Sequence, residues 1–279
     1  MPANMQVVKL YKNEFLDLIN KIEENEKELQ KIINAKITLY ESENGDDKQN
    51  DIRKEVLMQL QEIKIETKVM LDCISRFRDE AEGFYVYNFY INFLVTYSSY
   101  AIYRELTSDE DQELMDAIYN KLQLLIDFFK LYAPYFLKLN DVESNYVYKK
   151  INARLARMKK RSDKILYRID KLIILLIRSE NTDNNLNLVY ANLLRKAQAV
   201  VKQKIEQFDK KEIKEIKDIV EYLFEFSRYI FLIEDITDCI TEINEQKFSK
   251  KIIKLAKLVN DYVNYYFDKE IENLISTFM

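Results

Sequence analysis

Apolar residues recur at intervals of three and four along almost the whole chain, the spacing that lines them up on one face of an α-helix. Leu18, Ile22, Leu29 and Ile32 form such a seam, interrupted by Asn25, and predict a first helix over about 5–41. It ends in the polar stretch ESENGDDKQN. Val56, Leu60, Ile63, Met70, Ile74 and Phe77 predict a second helix that starts near Asp51 and continues to Leu106, with a bend at Gly83. The run T-S-D-E from Thr107 reads as a capping box, in which Glu110 returns to the cap N–H and opens a third helix. Pro134 ends or kinks that helix. Further helices are expected over 141–179, 185–207, 209–244 and from Ser249 to the last residue, the third of these N-capped by D-K-K-E at Asp209.

Composition narrows the fold class to all-α. Two glycines and two prolines in 279 residues leave almost no material for tight turns, which argues against sheets and hairpins. The expected fold is a bundle of long antiparallel helices with coiled-coil-like packing. It is either one continuous domain or two pseudo-repeated three-helix lobes. The 21-residue uncharged run between Glu82 and Arg104 has the length of a membrane span, but its tyrosines, asparagines and hydroxyl residues suit a central helix wrapped by others. Membrane contact is therefore not expected. The N-terminus MPANMQVVKLYKNEF has no apolar signal core, which places the chain in the cytoplasm by default. Cys73 and Cys239 fall within apolar helical pattern and are expected as free buried thiols.

Charge divides the chain into an acidic half, 1–140, and a basic half, 141–279. The first holds 17 basic and 25 acidic side chains, the second 26 and 22. The halves also resemble each other: SENGDD at 42–47 and SENTDN at 179–184 are offset by 137. At that offset Met115 falls on Ile252, Ile118 on Leu255 and Leu122 on Val259.

The sharpest local pattern lies in residues 148–178, which carry eleven Lys or Arg against Asp163 and Asp170. Lys150, Arg154, Arg157, Arg161, Lys164, Arg168 and Lys171 alternate by four and three and form one cationic stripe. Ile151, Leu155, Met158, Ile165, Ile169, Leu172 and Leu176 form an apolar stripe beside it. One side of such a helix can seat in a bundle while the other presents a cationic edge to nucleic-acid phosphates or another anionic surface. The alternative is that these cations pair with the acidic half or simply face water.

Three weaker patterns bear on function. The C-terminal ENLISTFM, through Ile275 and Phe278, resembles the PIP box by which replication and repair proteins plug a pocket on the sliding clamp. Glu272 and Met279 stand where that motif has Gln and a second aromatic. Glu23xxGlu26 with Glu43xxAsp46 is similar in spacing to the all-α nucleotide pyrophosphatases, a resemblance that implies Mg²⁺ held between facing helices. Glu234, Asp235 and Asp238 resemble one aspartate-rich motif of isoprenoid synthases, whose required twin is missing here. Histidine is absent, and with it the usual general base and the commonest ligand of zinc, copper and haem iron. No Gly-rich phosphate loop and no Ser/His/Asp set occurs.

The sequence therefore points to a non-enzymatic helical scaffold or interaction protein, without cofactor or metal, that binds a protein partner or its own copy through the 148–178 helix. A nucleic-acid-binding accessory factor of replication, repair or defence, tethered to a clamp by its C-terminal peptide, is the second expectation. A Mg²⁺-dependent enzyme acting on diphosphates is the third.

Overall fold

The computed structural model describes residues 12–42, 50–80, 83–107, 111–139, 143–179, 184–208, 215–243 and 245–276. Nearly all of them are helical, and no strand occurs among the described residues. The long helices are α1 (Lys12–Ser42), α2 (Asn50–Glu80), α3 (Gly83–Thr107), α4 (Gln112–Leu139), α5 (Ser144–Ile177), α6 (Asn184–Phe208) and α7 (Ile216–Asp238). A π-helical turn (Cys239–Ile243) and a 3₁₀ turn (Glu245–Lys247) lead to α8 (Lys250–Val263). A second π turn (Asn264–Asp268) joins α8 to α9 (Lys269–Ile275). None of the described helices is long and apolar enough to cross a membrane.

These residues fall into two compact units, one within Met1–Glu143 and Glu215–Glu221, the other within Ser144–Lys214 and Tyr222–Thr277. In the first, each of α1–α4 packs on the next and α4 returns to α1, an up-and-down four-helix arrangement. Its core is aromatic: Phe128 meets Phe15, Phe77, Phe89 and Phe129 edge-on at 5.2–5.9 Å between ring centres. In the second unit α5 packs along α6 and α8, with Glu270 on α9 also reaching it.

The expected continuous helix from Asp51 to Leu106 is instead two. Asn88 donates to Cys73 Sγ, Asn92 to Glu66 and Ser99 to Glu62, so the chain reverses and α3 runs back along α2. The first unit thus holds four helices where the periodicity counts three. The cap before α4 also differs: Asp111 Oδ1 accepts the Leu114 N–H at 3.3 Å, while the Thr107 hydroxyl donates back to the Tyr103 carbonyl as the last residue of α3. Pro134 lies inside α4, which continues to Leu139. Ser249 caps α8 by accepting from the Ile252 N–H. Cys73 and Cys239 are buried free thiols.

The two units share a burial register. Phe15, Ile19, Ile22, Leu29, Ile33 and Ile37 on α1 are buried, and so is the residue 136 positions beyond each, from Ile151 to Ile173 on α5. Leu114, Ile118, Lys121 and Leu125 on α4 correspond in burial to Ile252, Ala256, Val259 and Val263, 138 positions on. The sequence offset of 137 lies between the two and mismatches individual positions: it pairs buried Ile118 with half-buried Leu255. Most of the two matched loop segments lies outside the described residues.

Candidate functional site

The basic helix is α5, and it has three faces of different character. Its apolar stripe enters the core, with Ile151, Leu155, Met158, Ile165, Ile169, Leu172 and Leu176 all buried. The cationic stripe lies beside that core face, where much of it meets α8 and α9 of the same unit. Arg154 donates to Glu270 at 2.5 Å, and Arg157 grips both oxygens of the same carboxylate at 3.2 and 3.3 Å. Arg161 lies 4.3 Å from the Tyr266 ring centre, and Lys164 and Arg168 lie 5.7 and 5.0 Å from that of Tyr262. Arg168 also donates to the Leu258 carbonyl, and the Tyr262 hydroxyl donates to that of Arg161. Lys171 lies over Tyr167 on its own helix, and Lys150 is half-buried.

The pairing orders α5 against α8 and α9 in antiparallel sense. Burial raises the Glu270 carboxyl, but the guanidinium groups of Arg157 and Arg154 outweigh it and hold the group below the usual carboxylate range. Each cation–ring contact at such a half-exposed seam contributes about 0.5–1 kcal/mol. The partners of the stripe described here thus belong to the basic half itself. Tyr262, Tyr266 and Glu270 were missed as partners; their four-residue spacing on the final helical segment was the available signal.

The outward face of α5 carries exposed lysines, two of them shared with the stripe. Lys149, Lys160, Lys164 and Lys171 are exposed along it, with Tyr167 58% and Ile174 46% exposed between and beyond them. Lys250, Lys251, Lys254 and Lys257 are exposed on the neighbouring α8, and Leu258 is exposed beside them.

The remaining sequence candidates have other surroundings. Ile275 is buried in the bundle, Glu272 is exposed, and Phe278 and Met279 lie outside the described residues. Glu23 is bound by Lys27 and Arg78, and these cations, Lys27 foremost, hold its carboxyl low against the opposing effect of burial. Glu43 and Asp46 lie outside the described residues. Asp238 accepts from Asn260 and is raised by burial and by the nearby Glu242. No group of three or more His, Cys, Asp or Glu among the described residues could hold a metal ion.

Glu26 belongs to a polar layer inside the first unit, which the sequence marks only by Asn25. Lys121 of α4 and Glu26 of α1 are both fully buried and meet at 2.9 Å. Asn25 donates to the Ala117 carbonyl and accepts from Asn120, while Glu66 accepts from Asn92 of α3. Burial pushes the Glu26 and Glu66 carboxyls up, and the Lys121 ammonium pulls both back. All four helices contribute to this layer.

Compared with protein-family models, curated proteins and solved structures, the chain matches none.

Proposed function

We propose that this chain is a non-enzymatic helical interaction protein that contacts another macromolecule through the outward face of α5, and that its partner is a protein with an acidic surface. The observation that carries the reading is the row of exposed lysines interleaved with Tyr167 and Ile174. Cations on a purely solvated helix face need no exposed aromatic and aliphatic neighbours, whereas a contact surface uses both. The arginines of the stripe are bound within their own unit, which leaves the exposed lysines as the part a partner can reach.

A second reading, nucleic-acid binding, is favoured by one further observation. The lysines of α8 extend the cationic surface across two packed helices, a footprint suited to a run of phosphates. One experiment separates the two. Labelled polyglutamate and labelled single- and double-stranded oligonucleotides are titrated with protein at about 50 mM and about 200 mM salt, and anisotropy is read. The first reading expects polyglutamate to bind at low salt and to lose about tenfold in affinity in Lys149→Gln/Lys164→Gln/Lys171→Gln. Binding of oligonucleotide alone, with the steeper salt dependence, replaces the first reading by the second. No binding of either polyanion overturns both.

A further inference from the structure

In the shared burial register, the outward face of α1 is the counterpart of the outward face of α5. The 136-position offset carries Glu24, Glu28 and Lys31 onto Lys160, Lys164 and Tyr167. Asp17, Glu24 and Glu28 are exposed on α1, with Lys21 exposed between the first two. Asp17 stands 3.8 Å from Lys21 on the same helix with 79% of its side chain exposed, and a pair so open to water is weak.

The two faces carry opposite charges, and the spacings of those charges are mirror images. The carboxylates of α1 lie at 17, 24 and 28, seven and then four residues apart, and the lysines of α5 lie at 160, 164 and 171, four and then seven apart. Both intervals return a side chain to the same side of a helix. Laid antiparallel, the rows bring Asp17 to Lys171, Glu24 to Lys164 and Glu28 to Lys160 in a single alignment. The same alignment sets Lys21 opposite Tyr167, where an exposed ring can receive an ammonium. A parallel alignment by the offset of 136 pairs both glutamates but leaves Asp17 against Ala153. Both rows are exposed in the single chain, so the pairing calls for a second one.

We infer that the acidic surface met by the outward face of α5 is the outward face of α1 on a second copy of this chain, the two helices running antiparallel. This rests on the reading of α5 as a contact face and names its partner. The faces differ, so each copy offers one of each and can engage two neighbours or one neighbour twice. Each exposed pair contributes little and is screened by salt, which makes the association weak and sensitive to ionic strength.

The test is sedimentation velocity of the full chain over a range of concentrations at about 50 mM and about 500 mM salt. Wild type should associate at low salt and dissociate at high salt. Glu24→Lys/Glu28→Lys and Lys160→Glu/Lys164→Glu should each weaken self-association at least about tenfold. Circular dichroism should stay unchanged, since all four side chains are exposed. Mixed in equal amounts, the two variants should recover wild-type association, because every contact between unlike chains again joins opposite charges. One chain carrying all four changes should also associate as wild type does. A wild type that stays monomeric at low salt, variants that associate unchanged, or a mixture that fails to recover overturns the inference. The reading beneath it is decided separately. Polyglutamate binding that falls in Lys149→Gln/Lys164→Gln/Lys171→Gln, beside a monomeric wild type, keeps the outward face of α5 and replaces the second copy by another acidic protein. If neither self-association nor polyglutamate binding occurs, both fall.

Discussion

Glu26 in the first unit and Ser162 in the second occupy the same place in the burial register, and so do Lys121 and Val259. One bundle closes around a buried ion pair, the other around a hydroxyl and an isopropyl group. Ser162 needs no cross-helix partner because its hydroxyl donates to the Lys159 carbonyl one turn back. Glu26 and Lys121 each require the other, since a single buried charge costs several kcal/mol, roughly. The comparison teaches that one helical spacing accommodates opposite uses of charge. The acidic half places a lysine inside, and among the described residues the basic half keeps its cations at the seams and surface. Buried pairs of this sort contribute specificity of packing more readily than stability.

The largest way to break the comparison is Glu26→Ala. It strands Lys121 in the core and is expected to cost about 3–5 kcal/mol in urea unfolding. Glu26→Leu/Lys121→Met should recover most of that loss, since it makes the first interior resemble the second. A cost below about 1 kcal/mol for Glu26→Ala would mean that the ion pair is not held in a dry core. Next in size is Glu270→Gln, which weakens the grip on Arg154 and Arg157. Arg157 is half exposed and screened by water, so the expected loss is about 0.5–1 kcal/mol, with added sensitivity to protease near α9.

The smallest effect is in pH, and its sign differs between the units. Glu66 is raised when folded, so its contribution is greatest near and below its ordinary value of 4.5 and declines as pH rises through the folded value. The stability of wild type relative to Glu66→Gln should therefore grow as pH falls from neutrality toward 5, the window above 4.5 that a raised value opens. Glu270 is lowered, so its contribution is present above 4.5 and is lost as pH falls through the folded value. The advantage of wild type over Glu270→Gln should hold at neutrality and shrink only in the acid below 4.5. Melting temperatures of the three proteins across that range check both signs.

The helical nature of the chain, and α5 with its two stripes, were legible because periodicity of three and four survives wherever one face meets water. The end of α2 was not. Residues 86–103 of α3 are buried on most sides, so the apolar pattern loses its period there and leaves only Gly83 to mark the change. Lys121 was hidden for a different reason. A lysine inside an apolar run looks like a residue at the edge of a seam, its long methylene stem being compatible with either place. Only the position of Glu26 on another helix, 95 residues earlier, makes it internal.

The π turn at Asn264–Asp268 sets the angular position of everything after it. Five residues close a turn there through wider hydrogen bonds, so the helix carries one residue more than a regular α-helix would. Rewinding all five residues as regular α-helix would swing α9 by about 100° about its axis. Glu270 would leave the two arginines, and Ile271 and Leu274 would leave the core with it. The widened turn therefore keeps α9 in register by absorbing the extra residue. Deleting one residue from Asn264–Asp268 lets a regular helix span the same arc with α9 still facing the core, whereas winding all five residues as α-helix turns α9 like a key in the wrong notch.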